Sequence, residues 1–483
     1  MIELLTCLVA VVPQVDTAVA ETPTVITLEQ ALEIALSENA SVKVADKEIE
    51  RTGYARKGTY ASLFPTVDGS GAFQRTIKKQ VMYMDFDMGS ITGGAGETGG
   101  EEALTKASGG GKSAGTTAGG GIEVGRWNTW SAGVSASMPL VNAQLWKSLK
   151  ISDQDVELSV EKARSSRLDM VNQVKQAYFS CLLARDAFEV YKSVYENALD
   201  NLDLIQKKYN AQKASELDLT RAKTTLANAI PNVYDAENSV ILSLWQLKAV
   251  MGIDLDENID VAGKLDDYAD HMLYDLASTQ ELDLSNNTTM RQLAIQAEQL
   301  ANTVKLQKYA ALPSLALAFS YSLNAMANDF KFDTYNWSPY SYAALSLSIP
   351  IFAGGKRANA IRQAKVQAEE LDIQRENTER QLKIAIRQSL NTMETQIKSL
   401  SSAQSAVETA QKAYDIAQKS YNVGRSTLTD LNDAQLALTQ ARLTVSQAVY
   451  NFLVAKASLE STLGADFIDA DGNVQLNKTY DNE

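Results

Sequence analysis

The chain has 483 residues, of which 45% are hydrophobic and 22% charged, with a formal net charge of -14. That balance excludes wholesale disorder, and the acidity excludes nucleic acid as a natural partner. One histidine and two cysteines are too few for the common metal and nucleophile constellations, so no enzyme, cofactor or metal site is expected.

Residues 1–20 hold an apolar run from Leu4 to Val12 followed by Ala18-Val19-Ala20, the pattern of an export signal with its cleavage site, although Glu3 stands where a basic residue is usual. Its removal takes Glu3 and Asp16 and moves the formal charge from -14 to -12. Cys7 leaves with the signal, so Cys181 has no intrachain partner. No later apolar run approaches the ~18 to 20 residues of a membrane helix. Any crossing of a bilayer must therefore use strands.

The rest of the chain is duplicated. Pro139 answers Pro350 at an offset of 211, Tyr209 answers Tyr421 and Gly252 answers Gly464 at 212, and Pro65 answers Pro313 at 248. These landmarks divide the chain into a first repeat (21–252), an acidic segment (253–285), a second repeat (286–464) and a tail (465–483). Each repeat is expected to run as a helix of roughly 35 residues, a strand, a loop, a strand, a helix of roughly 70, a tip, and another helix of roughly 35.

In the first repeat, strands are predicted near 66–80 and 127–139, separated by a Gly-rich polar tract that cannot bury a core. The long helix covers 142–208 and the tip 209–218. The acidic segment holds ten acids against Lys264 between 254 and 283 and is expected to present a solvated face. In the second repeat, strands are predicted near 314–324 and 341–350, the long helix over 355–420 and the tip over 421–430. At 1.5 Å per residue each long helix spans ~100 Å. Ile386, Leu390, Met393, Ile397 and Leu400 step by four and three, as in a coiled coil.

The strands decide the class. Leu315, Leu317, Phe319, Tyr321 and Leu323 alternate with Ser or Ala, and Leu345, Leu347 and Ile349 alternate with serine. One oily and one small polar face fits the wall of a transmembrane barrel, with Trp127, Trp130, Tyr335, Trp337, Tyr340 and Tyr342 as candidates for its aromatic girdle. Four strands cannot close a barrel, because an open edge in lipid leaves backbone groups unpaired. Three copies would supply twelve. The competing class is a secreted or surface structural coiled coil.

Nearly the whole mature chain resembles the TolC family of outer membrane efflux proteins, through ITLEQALEIALSEN, the LFP and ALP before the outgoing strands, SIPIFAGGKRANAIRQA, YNVGRSTLTDLNDAQLAL and LESTLGAD. The resemblance implies a mainly α chain of tandem coiled-coil hairpins forming a periplasmic tunnel, with four strands per chain completing a trimeric twelve-stranded outer membrane β-barrel. It implies as partners a periplasmic adaptor and a proton-driven (RND) or ATP-driven (ABC) inner membrane transporter, with small molecules or proteins as cargo.

Several residues acquire expected roles. Pro139, Pro350, Gly354 and Gly355 mark strand-to-helix turns, and Gly424 a helix tip turn. Thr427-x-x-Asp430 and Ser215-x-x-Asp218 read as capping boxes. Asp430 and Asp433 share a helix face and, by the resemblance, form an acidic constriction that favours cations; crowding there would raise their proton affinity. Tyr421 and Asp218 match family positions whose hydrogen bond helps hold the tip closed. The family's locking arginine falls on Ser426, leaving Arg425 and Arg221 as candidates to replace it. A packed tyrosine ending a heptad stripe accounts for Tyr421 equally well.

Overall fold

The computed structural model describes residues 23–82, 122–269, 272 and 283–464. The export signal, most of the Gly-rich tract, His271 and the tail lie outside these residues.

The first repeat runs β1 (Thr24–Ile26), α1 (Leu28–Glu38), α2 (Ala40–Ala61), β2 (Thr66–Arg75), β3 (Gln80–Met82), β4 (Ile122–Val124), β5 (Asn128–Val141), α3 (Ala143–Asn210) and α4 (Glu216–Met251). The acidic segment supplies β6 (Ile259–Val261) and α5 (Asp266–Ala269). The second repeat runs α6 (Thr288–Tyr309), β7 (Ser314–Ala327), β8 (Ser338–Ser348), α7 (Lys356–Asn422) and α8 (Leu428–Leu463). The described residues fall into two compact units: a helical unit within Met1–Lys57, Lys150–Lys305 and Ala358–Glu483, and a strand unit within Gly58–Leu149 and Leu306–Arg357.

In the helical unit the first helix is not the continuous rod of roughly 35 residues that its composition suggests. Asn39 takes an extended backbone, φ -63 and ψ 132, and splits it into α1 and α2. The break forms a clasp: Asn39 Nδ2 donates to the Val250 carbonyl at 2.7 Å, while its Oδ1 accepts from the Ser41 amide at 2.7 Å. The second repeat builds the same clasp, with Asn287 Nδ2 donating to the Thr462 carbonyl at 2.6 Å and Oδ1 accepting from the Met290 amide at 2.9 Å. Gly252 and Gly464, with φ +80 and +66, end the helices that these asparagines grip. A side chain at either position would press on the opposed backbone, at Asn39 or at Asn286 and Asn287.

The acidic segment differs from a purely solvated face. Its acids Asp254, Asp256, Glu257, Asp266 and Asp267 are exposed, but Ile259, Val261 and Leu265 are buried in the main core. β6 pairs in parallel with β1, and the long helix α3 clamps both strands. The Tyr178 hydroxyl donates to the carbonyl of Ala262 at 2.7 Å and lies 3.2 Å from that of Ile26. The Arg185 guanidinium donates to the carbonyls of Val261 and Gly263.

The strand unit is built on an antiparallel sheet in the order β2-β5-β7-β8, so among the described residues β2 and β8 are its free edges. Register puts Val67 beside Ala136, Ala136 beside Phe319, Met138 beside Leu317, and Leu317 beside Leu345 on one face. Leu317, Phe319, Leu345 and Leu347 are 42–63% exposed on that face, although they are large and apolar. Such a continuous oily surface marks a membrane or partner interface. Ser135, Ser320 and Ser346 carry the opposite face. No helix among the described residues is long and apolar enough to cross a membrane.

The aromatic candidates divide. Trp130 stacks on Phe73 with ring centres 4.3 Å apart, and Trp127 and Trp337 are exposed. Tyr340 and Tyr342 lie opposite Ser322 and Ser320, on the small-residue face rather than the oily one. Tyr335 leaves the girdle altogether: it is buried, and its hydroxyl donates to the Asp329 carbonyl at 2.6 Å. At the strand-to-helix junctions Gly354 and Gly355 adopt φ +56 and +78. Asn142 takes the corresponding place after Pro139 and caps α3 by accepting from the Leu145 amide at 3.1 Å.

Candidate functional site: the acidic helix tips

Each tip closes with one backbone motif, repeated 212 positions apart. After α3, the Lys213 amide donates to the Lys208 carbonyl at 2.7 Å and the Gln212 amide to Tyr209 at 2.8 Å. After α7, the Arg425 amide donates to Ser420 at 2.8 Å and the Gly424 amide to Tyr421 at 3.1 Å. Bonds of this kind satisfy helix C-terminal carbonyls and require one left-handed residue.

The next helices start on full capping boxes. Asp218 donates its amide to Ser215 Oγ at 3.1 Å, and its carboxylate accepts from the Ser215 amide at 3.4 Å and from the Ser215 hydroxyl at 2.7 Å. Asp430 donates to Thr427 Oγ1 at 3.2 Å and accepts from the Thr427 amide at 2.8 Å and hydroxyl at 2.7 Å.

These bonds decide the electrostatics within one chain. The Thr427 amide and then its hydroxyl hold the Asp430 carboxyl below the usual carboxylate range. Asp430 stays ionised and exposed, and Asp433 is exposed one turn along the same helix.

Tyr421 is only 9% exposed and packs in a cluster with Ile205, Leu219, Tyr414, Leu428 and Leu431. The Lys208 ammonium lies 4.7 Å from its ring centre. Burial and then the charge of Asp218 push its phenol upward. The expected Tyr421–Asp218 hydrogen bond is not formed, because the Asp218 carboxylate is turned into the Ser215 cap. Arg221 and Arg425 are exposed and pair with no acid among the described residues, while the Ser426 hydroxyl donates to the Ala417 carbonyl at 3.3 Å. Neither arginine therefore replaces a lock in this conformation.

Two features of the tips are not visible in the sequence pattern. Asn432 Nδ2 reaches across from α8 to Thr225 Oγ1 on α4 at 3.2 Å, a direct link between the hairpins. The Lys208–Tyr421 contact is a second polar link; the ordinary spacing of both residues within their helices gives no sign of it. Elsewhere in the helical unit, burial pushes the Cys181 thiol up to about 11, so it carries little thiolate at neutral pH.

The sequence matches the family model described as outer membrane efflux protein over residues 31–253 and 281–465. It is 24% identical over 343 residues to the alkaline protease secretion protein AprF of Pseudomonas aeruginosa, covering 70% of each chain. It is 21% identical over 346 residues to the outer membrane protein TolC of Escherichia coli, again covering 70% of each. Among solved structures, the Campylobacter jejuni CmeC outer membrane channel superposes with a TM-score of 0.67 at 18% identity, over 90% of this chain and 85% of that one.

Proposed function

The chain belongs to the outer membrane efflux protein family, and on that premise we propose that it is the outer membrane conduit of a tripartite export system. Three copies join their four-stranded sheets edge to edge into one barrel in the outer membrane, and their helices line a periplasmic tunnel. Cargo, whether small molecule or protein, enters from a periplasmic adaptor and an RND or ABC transporter, and the conduit itself supplies no energy. The helix tips form the gate, with Asp430 and Asp433 as its acidic ring.

The observation that carries this reading is the sheet with two unpaired edges and a large apolar face left exposed. In lipid those edges must be paired, and a second sheet of the same kind supplies the pairing. A soluble rod has no use for such a surface.

Purified protein should insert into a planar lipid bilayer and give discrete conductance steps, and its mass in detergent should be that of a trimer. A monomer without channel activity defeats the reading.

A further inference from the structure

At the end of the sheet away from the long helices, the connection between β7 and β8 turns back over the oily face. Opposed residues of an antiparallel pair share a side, so Val67, Phe73 and Arg75 of β2 lie with Ala136, Trp130 and Asn128 of β5. Phe319 and Ala325 of β7 complete that side. Residues 328–337 are pinned onto it: Asn128 Nδ2 donates to the Asp329 carbonyl at 2.9 Å, and Ala325 and Ala327 are buried with Tyr335. Phe332 meets Trp130 with ring centres 5.1 Å apart, and Phe330 lies 6.1 Å from Phe73. Yet Phe330 and Phe332 remain 52% and 54% exposed. Two large rings turned outward are unfavourable in water.

The same end gathers positive charge in a chain whose net charge is -14. The Arg75 guanidinium lies 5.6 Å from the Phe330 ring centre, and the Lys79 ammonium 4.8 Å from that of Trp127. Lys78, Arg126 and Lys331 are exposed in the same connections. Glu123, Asp329 and Asp333 are the acids there, but none of these bases forms an ion pair among the described residues. A cation resting on a ring keeps outward N–H groups for an anion.

Height indicates which anion. β2 runs from Thr66 to Arg75. At ~3.3 Å per step it spans about 30 Å, and a tilt of ~40° makes that a rise of about 23 Å, close to the ~25 Å apolar band of a membrane barrel. With Thr66 at the inner boundary, Arg75 emerges at the outer one. Lipid phosphates lie at that level, and aromatic rings settle just beneath them.

We infer that the end of β2 and the β7–β8 connection form a binding site for the phosphate of an outer-leaflet lipid. Arg75, Lys79 and Lys331 hold the phosphate, and Phe330 and Phe332 lie against the acyl chains. The site rests on the membrane barrel proposed above. Charge selects the phosphate, while the rings select a lipid over an anion dissolved in water. An acidic macromolecule in solution would meet the bases and leave the rings bare.

The test uses the full chain as a trimer in nonionic detergent, titrated with a diphosphorylated glucosamine glycolipid (lipid A) or with its dephosphorylated form. Native mass spectrometry counts the lipid bound. The phosphorylated form should bind about tenfold more tightly, the effect of one or two charge-assisted hydrogen bonds. Arg75→Gln combined with Lys79→Gln should remove that preference, and Lys331→Gln, on the exposed connection, should reduce it. Phe330→Ser should weaken both forms alike, and inorganic phosphate at equal concentration should displace neither. Equal binding of the two glycolipids, an unchanged preference in the charge variants, or displacement by inorganic phosphate overturns the lipid site and leaves the channel standing. Parent protein that neither forms trimers nor conducts overturns the barrel, and the site with it.

Discussion

Gln212 and Gly424 occupy the same place in the two tips and share a left-handed backbone, with φ +58 and +77. Gln212 is the one non-glycine with positive φ among the described residues, so the first tip holds a conformation that only the second has the residue for. Gln212→Gly should raise stability by about 1 kcal/mol, since a side chain in this region costs roughly that amount. Gly424→Ala should lower it by a similar amount. Thermal unfolding of the detergent-solubilised protein checks both signs.

The clasps are unequal in tightness. A Cβ at Gly464 would overlap the Asn286 carbonyl, lying 2.7 Å from its carbon, whereas one at Gly252 would come no nearer than 3.0 Å, to the Asn39 Cα. Gly464→Ala should therefore reduce the folded protein in outer membranes more than Gly252→Ala. Asn287→Ala, which leaves the Thr462 carbonyl without its donor, should cost about 1–3 kcal/mol. Protease resistance of the helical unit reads all three variants.

Asp186 introduces a pH dependence. Burial, then the charges of Asp266 and Glu189, push its carboxyl up to about 6, against smaller opposing effects of the Ser446 hydroxyl and Arg185. A group whose folded pKa exceeds its unfolded value binds its proton more tightly when folded, so its contribution to stability falls as pH rises from about 4 to about 6 and stays lost above. Asp186→Asn should stabilise the protein at pH 7 to 8 and change little near pH 4. Unfolding followed at both pH values tests the sign.

The two acids of the second tip should separate by role. Asp433→Asn should weaken block by trivalent cations in single-channel recordings without changing stability, because no cap depends on it. Asp430→Ala should weaken block and also destabilise the tip by about 1 kcal/mol through loss of the cap. Unchanged block in the double variant removes the acidic ring.

Much of this protein follows from spacing alone. Steps of three and four in Ile386, Leu390 and Met393 fix a helix, and alternation in Leu315, Leu317 and Phe319 fixes a strand, because side-chain direction within an element is set by local geometry. The capping boxes at Ser215 and Thr427 are legible for the same reason: hydroxyl and carboxylate are three residues apart. The tertiary structure decided what depends on distant partners. The break at Asn39 exists because a carbonyl 211 residues away accepts its side chain, and β6 exists because β1 lies beside it. Tyr335 is buried, and the Asp218 carboxylate turns to Ser215 instead of Tyr421, through contacts that no periodicity records. Local pattern specifies which way a side chain points; only packing specifies what it meets.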